Sequence, residues 1–115
     1  MVERYTSPDG LLQLVLVESA GDCTVGFRGG SWRADGDALV GEYELLGVSG
    51  LTALEAVRRF VDEVLNDQIQ MVIATTPGGA PDLWPTWDPQ RTIERAQPNE
   101  QLQLRTWNKA ADPGG

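Results

Sequence analysis

A helical repeat of apolar residues is the clearest pattern in the chain, and it lies in segment 52–66. Apolar residues recur every three or four positions, at Leu54, Val57, Val61, Val64 and Leu65, and charged residues fill the opposite side. Thr52 stands three residues before Glu55, which is the spacing of a capping box, where each side chain accepts a hydrogen bond from the backbone N–H of the other. The pattern predicts an amphipathic helix that begins after Thr52 and ends near Asn66.

Two runs of aliphatic and β-branched residues, 11–18 and 69–76, are apolar on both faces and predict buried β-strands. Each run is followed by a turn signal and then by a shorter run, 23–28 and 82–87 respectively. Pro85 cannot donate a ladder hydrogen bond, so it confines the second of these shorter runs to an edge or an end. The pattern therefore predicts two antiparallel hairpins.

The remaining segments carry weaker patterns. Six glycines interrupt residues 29–50, which predicts a loop with at most a short strand or a single helical turn. Residues 91–97 are polar and fit either an irregular connection or a turn of helix. Residues 101–107 alternate between apolar and polar positions, which predicts a half-exposed final strand, and residues 109–115 are expected to fray.

Together these elements predict an α+β fold with a single antiparallel sheet of about five strands, since the apolar side of helix 52–66 can only be buried against a sheet face of comparable size. The sheet is expected to combine the two hairpins with the C-terminal strand, and helix 52–66 is expected to pack on one of its faces. A length of 115 residues suits one domain, 1–115, with one core.

The chain is acidic: 9 Lys and Arg residues stand against 17 Asp and Glu residues, for a net charge of −8. Such a charge repels phosphate backbones and anionic lipids, so we expect neither a nucleic-acid partner nor a membrane partner. It favours a basic protein partner, although solubility alone is a sufficient reason for acidity. Cys23 is the only cysteine, and no secretory signal or membrane-length apolar run is found, so a cytoplasmic location is expected.

The chain contains no histidine, which removes the commonest general base, the usual zinc ligand and the ordinary Ser/His and Cys/His pairs. The glycine pairs Gly29-Gly30 and Gly78-Gly79 lack the Lys-Ser/Thr and the strand-to-helix context of a phosphate loop. We therefore expect a protein that is not an enzyme and that uses no cofactor.

Four acidic residues of segment 29–50 are candidate binding residues: Asp35, Asp37, Glu42 and Glu44. Carboxylates so placed could hold a hard divalent cation or act as an acid/base pair, but the spacing completes no EF-hand loop. We expect them to be solvated acids that are available to a partner, and we predict no metal site.

The tryptophans are the second set of candidates, and they stand in turn-rich or edge segments, outside the strongest apolar patterns. At least one is expected in the core. The others, if they lie beside Arg91 or Arg105, would form a shallow aromatic patch of the kind that anchors a protein or a sugar ring. The four are Trp32, Trp84, Trp87 and Trp107.

The leading hypothesis is a non-catalytic interaction module that binds a basic partner. In size and acidity the chain resembles small bacterial inhibitor or immunity proteins, a resemblance that no sequence motif carries. One alternative is a small-ligand or carbohydrate-binding module that uses Trp84, Trp87 and Trp107; another is an enzyme that uses the acidic residues Asp35, Asp37 and Glu42. A homodimer that pairs through strand 101–107 is also considered.

Overall fold

The architecture is α+β with two separate antiparallel sheets, in a computed structural model that describes residues 2–79, 81–96 and 98–108. The first sheet has the order β1-β2-β3-β4, with strands Val2–Thr6, Gln13–Ser19, Asp22–Phe27 and Arg33–Asp35. The second has the order β6-β5-β7, where β5 is Gln70–Thr75, β6 is Asp82–Thr86 and β7 is Gln101–Arg105. The helices of the described residues are α1 (Gly36–Leu45), α2 (Ala53–Leu65) and α3 (Pro89–Glu94). The predicted frayed tail, 109–115, lies outside the described residues.

The predicted amphipathic helix is confirmed as α2, and so is its cap. The Glu55 N–H donates to Thr52 Oγ1 at 3.2 Å, and the Thr52 N–H donates to Glu55 Oε1 at 3.0 Å. The buried face consists of Ala56, Val57, Phe60, Val61 and Val64. It includes Phe60, which the predicted stripe omitted, whereas Leu54 from that stripe is exposed.

Both predicted hairpins are confirmed. β2 pairs with β3, placing Leu16 opposite Val25, and β5 pairs with β6, placing Ile73 opposite Leu83. The predicted C-terminal strand is present as β7 and pairs with the other side of β5. β5 is thus the central strand of its sheet, and it is covered on both faces, since the adjacent residues Met71 and Val72 point to opposite sides and are both fully buried.

The prediction of one five-stranded sheet with one helix is wrong. β1 pairs with β2 and β4 pairs with β3, so both edges of the first hairpin are occupied and the second hairpin cannot extend the same sheet there. The second hairpin builds its own sheet with β7 instead. Segment 29–50, expected to be largely irregular, supplies β4 and the ten residues of α1, and α3 follows a turn after β6.

The two newly found helices begin at side-chain caps. Asp35 accepts a hydrogen bond from the Ala38 N–H at 2.8 Å and starts α1. Asp88 accepts one from the Arg91 N–H at 3.1 Å and starts α3, where Pro89 occupies the first turn. Both caps satisfy backbone donors that a helix start otherwise leaves unpaired.

A single hydrophobic cluster joins both sheets to α1 and α2. Its largest fully buried side chains include Tyr43 from α1, Phe60 from α2, Leu14 from β2 and Met71 from β5. A polar contact also links the sheets, since Ser31 donates through its N–H and its hydroxyl to the Asp82 carboxylate at 2.9 and 2.7 Å. These hydrogen bonds hold the pKa of Asp82 below its usual range.

Candidate functional site

An aromatic row runs from the first sheet across α2 to the helices beside the second sheet. The ring centroids of Phe27 and Trp32 are 6.0 Å apart, and those of Trp32 and Phe60 are 5.3 Å apart. Phe60 lies 5.9 Å from Trp87, which meets Tyr43 edge-on at 6.3 Å. These separations are typical of interacting aromatic pairs, so the row fixes the positions of Trp32 and Trp87.

Trp32 and Trp87 of this row line a surface groove between α1 and α3, with a cavity volume of about 520 Å³. We call it the indole groove, and its principal lining residues are Trp32, Glu42, Leu45, Leu46, Trp84, Trp87, Arg91 and Arg95. An adjoining cavity of about 550 Å³ shares Trp32, Glu42, Leu45 and Trp87. The groove therefore extends along α1.

The C-terminal end of α1 presents apolar side chains to solvent at this groove. Leu45 is 85% exposed and Leu46 is 51% exposed. Both are large aliphatic residues whose exposure is unfavourable in an isolated protein. The indole groove is thus an apolar surface built from aromatic and aliphatic side chains.

The two walls of the groove carry opposite charges. The α1 wall contributes Glu42, and α1 contains acidic residues but no basic residue in its last turn. The α3 wall contributes Arg91 and Arg95 together with Asp88, whose carboxylate caps α3, so this wall has a net positive charge. A bound segment would therefore experience an electrostatic field that runs from the basic α3 wall to the acidic α1 wall.

Of the four acidic candidates, only Glu42 lines the indole groove. The Asp35 carboxylate caps α1, and Asp37 lies in the first turn of that helix, where its negative charge interacts favourably with the helix dipole. Glu44 is exposed on the same helix. In the described part of the chain, no group of three or more cysteine, aspartate or glutamate side chains is arranged to hold a metal ion.

Three of the four tryptophans meet at the groove, and the fourth does not. Trp84 and Trp87 both line it although they are three residues apart, because β6 ends at Thr86 and the chain turns there into α3. Trp32 reaches it from the start of β4. Trp107 is only 3% exposed and belongs to the hydrophobic core, so it is not available to a ligand.

Arg105, which we considered as a neighbour of the aromatic patch, has a different position. Its side chain is buried and donates to Asp9 Oδ2 at 2.8 Å and to the Trp107 carbonyl oxygen at 3.0 Å. The guanidinium hydrogen bond holds the pKa of the Asp9 carboxyl well below its usual range. This ion pair connects the β1–β2 turn to the end of β7, and the sequence offers no signal for it because 96 positions separate the two residues.

A second polar cluster lies between α1 and α2. The buried Tyr43 hydroxyl donates a hydrogen bond to the Glu63 carboxylate, and Arg59 lies 5.4 Å from the Tyr43 ring centroid and 3.9 Å from Glu63. Burial, followed by the hydrogen bond to Glu63, raises the pKa of Tyr43. The hydroxyl is therefore protonated and engaged in a structural contact between the helices.

The chemistry available at the groove is noncovalent recognition. Indole faces and leucine side chains offer apolar area, while Glu42 and Arg91 offer charges of opposite sign at the two walls. Cys23, the chain's one thiol, is buried in the core, and burial raises its pKa, so it is not an activated nucleophile. Arg91, considered as a neighbour of the aromatic patch, does line the groove with Trp84 and Trp87. Leu45, Leu46 and Arg95 were not among the predicted site residues, and the adjacent pair Leu45-Leu46 before a glycine was the only sequence signal for the leucines.

None of the helices in the described ranges is both long enough and apolar enough to cross a lipid bilayer. Comparison of the chain with protein-family models, with curated proteins and with solved structures finds no match.

Proposed function

We propose that the protein is a non-catalytic interaction module that binds a basic protein partner at the indole groove and along the acidic side of α1. The observation that carries the proposal is the exposure of Leu45 and Leu46 at the rim of a groove lined by three tryptophans. Exposed apolar patches of this kind in small proteins are commonly binding surfaces.

The apolar part of the groove accounts for affinity. Covering a large aliphatic side chain contributes roughly 1.5–3 kcal/mol, so burial of Leu45 and Leu46 is a substantial driving force for association. Tryptophan is among the residues that most often dominate binding energy at interfaces. Trp32 and Trp87 are also held in place by the aromatic row, so little side-chain entropy is lost when a partner binds.

The charges account for the choice of partner. The net charge of −8 attracts a basic protein at long range, and Asp37, Glu42 and Glu44 concentrate negative charge on α1. Arg91 and Arg95 on the opposite wall repel the same basic groups, which orients the partner with its cations toward α1. The mode of action proposed is that of an inhibitor or immunity protein, which covers a basic surface of its partner in the cytoplasm.

The test is affinity capture from the host at about 50 mM salt and again at about 500 mM salt, where screening of exposed charges differs strongly. The wild-type protein should retain one stoichiometric basic partner at low salt and lose it at high salt. The double variant Leu45→Ser, Leu46→Ser and the variant Glu42→Gln should retain less of it.

Two matched controls keep this result specific. Leu11→Ser removes a leucine that is 75% exposed in the β1–β2 turn, and Asp22→Asn removes a carboxylate at the β2–β3 turn; neither residue lines the groove. Both controls should capture the partner like wild type. Equal capture by the groove variants, or no basic partner at low salt, would contradict the proposal.

A second candidate is a small-ligand or carbohydrate-binding module, favoured by the meeting of Trp32, Trp84 and Trp87. A volume of about 520 Å³ falls in the range of small-molecule sites. An oligosaccharide panel that shifts the tryptophan emission of wild type, but not of Trp84→Ala, would support it. Pairing of β7 with a second copy also stays a prediction, since β7 is an edge strand of the second sheet.

A further inference from the structure

The first sheet has a face turned away from α1 and α2, and its composition differs from that of the chain as a whole. The strand register aligns its outward positions in rows: Arg4, Val15, Gly26 and Arg33 form one row, and Val2, Val17 and Thr24 lie in the next. Arg28 follows β3 beside Gln13. We call these residues the outer face.

The outer face is basic although the protein is acidic. Arg4, Arg28 and Arg33 are exposed, and none of them forms a salt bridge with a carboxylate in the described ranges. Two carboxylates also belong to this face: Asp35, which caps α1, pairs with Thr24 in the second row, and Asp22 lies at the far end of β3. Within the described ranges, the guanidinium groups of the three arginines thus have no carboxylate in salt-bridge contact.

Between these arginines the outer face has an apolar floor. A shallow cavity of about 220 Å³ is lined by Val15, Val17, Gly26, Arg28 and Arg33, among others. Val17 is exposed, as is its neighbour across the ladder, Val2. Guanidinium groups above an apolar floor suit a ligand that combines carboxylates with apolar side chains.

Gly26 shapes this floor. A Cβ placed there would lie 3.1 Å from Arg33 Cγ and 3.1 Å from the Trp32 carbonyl oxygen, closer than most Cβ contacts. The absence of a side chain lets the aliphatic part of Arg33 lie across the sheet toward Val15, which faces Gly26. Arg33 is thus directed over the cavity.

We infer that the outer face is a second interaction surface, which binds an acidic segment of a protein that also carries apolar side chains. The charge complementarity is local, and the Debye length of about 8 Å at physiological salt limits repulsion from distant carboxylates of the chain. A nucleic acid is disfavoured because its continuous phosphates would meet the field of a chain with net charge −8. The inference is independent of the indole groove.

The probe is a short fluorescein-labelled peptide composed of glutamate, leucine and glycine, titrated with the whole protein at physiological salt and followed by fluorescence anisotropy. An exposed ion pair contributes up to about fivefold in affinity, so Arg28→Gln and Arg33→Gln should each weaken binding by about threefold to fivefold. The double variant should lose about tenfold or more. Val17→Ser should also weaken binding, because it removes part of the apolar floor.

Arg58→Gln is the matched control, since it makes the same change in net charge on α2, which packs on the opposite side of the first sheet from the outer face and lines neither proposed surface. It should bind the peptide like wild type, and all variants should melt near the wild-type temperature because the substituted side chains are exposed or form no core contact. Saturable binding with this ranking supports the inference. Absence of saturable binding, an equal loss in Arg58→Gln, or tighter binding of a single-stranded oligothymidylate than of the peptide would overturn it.

Discussion

Two glycines of α1 should respond in opposite directions when each is replaced by alanine. At Gly36 an added Cβ would lie 2.5 Å from the Ala53 Cβ and 2.8 Å from the Ala53 carbonyl oxygen, which real Cβ atoms do not tolerate. At Gly41 the added Cβ would meet no atom within 4 Å beyond the helix's own backbone. Neither glycine has a positive φ, so alanine strains the backbone at neither position.

The expected magnitudes follow from these contacts. Alanine is more favourable than glycine in a helix interior by about 0.8–1 kcal/mol, so Gly41→Ala should stabilise the protein by roughly that amount. Overpacking costs about 1–3 kcal/mol, and the propensity gain is small at the first helical residue, so Gly36→Ala should destabilise by about 1–2 kcal/mol. For 115 residues the unfolding entropy is about 240 cal/mol/K, so each kcal/mol corresponds to about 4 °C in Tm.

Gly41→Ala should therefore raise Tm by about 3–4 °C, and Gly36→Ala should lower it by about 4–8 °C. Thermal and urea unfolding followed by circular dichroism measure both, and an unchanged dependence on urea concentration shows that the unfolded state is unaltered. If Gly36→Ala were as stable as wild type, α1 and α2 would not approach each other at Ala53. A gain in both variants would show that helix propensity alone decides the response.

Three further perturbations test the core and the polar contacts. Phe60→Ala should lower the free energy of unfolding by about 3–5 kcal/mol and Tm by more than 10 °C in a thermal melt, because it leaves a cavity between the indoles of Trp32 and Trp87. A loss of unfolding free energy below about 1 kcal/mol would contradict the contacts of the aromatic row. Asp9→Asn should be less stable than wild type at pH 7, since Arg105 lowers the pKa of Asp9. The difference in unfolding free energy should shrink as pH falls below about 4, where the Asp9 carboxyl of the unfolded chain becomes protonated. Urea unfolding measured at several pH values tests this, and a difference that does not change with pH would refute the ion pair. Tyr43→Phe should lose about 1–2 kcal/mol at neutral pH with the hydrogen bond to Glu63. Because the pKa of Tyr43 is raised, wild type should progressively lose this advantage above about pH 10, and a stability difference that stays constant into the alkaline range would count against the hydrogen bond.

The sequence predicted the indole groove only in part. Tryptophans outside the periodic apolar segments indicated an aromatic surface, but the participation of Trp32 depends on its stacking with Phe60. The same reasoning did not distinguish the buried Trp107 from the three tryptophans of the groove. Arg105, which forms the ion pair with Asp9, also donates a hydrogen bond to the Trp107 carbonyl oxygen and helps to hold Trp107 in the core. The turn-rich or edge position of a tryptophan in the sequence was a poor guide to its burial, because burial depends on contacts that are distant in sequence.

The missed helix α1 illustrates a different limit. Its sequence contains Gly36 and Gly41 and only a weak amphipathic pattern, so local preference does not favour a helix. The Asp35 cap, the burial of Leu39 and Tyr43, and the close approach of Gly36 to Ala53 stabilise it in the folded chain. Glycine, which weakens the helix locally, is required there by the packing of α1 on α2.

The sequence by itself determined the elements whose signals are local: the capped helix α2, both hairpins and the alternating strand β7. Capping, turn formation and alternation all act between residues that are close in the chain, so their patterns can be read directly. Only the tertiary structure decided that β1 and β4 occupy the edges of the first hairpin and thereby separate the two sheets. It also decided which side chains meet at the indole groove and on the outer face, because those neighbours are brought together by packing and register between distant segments.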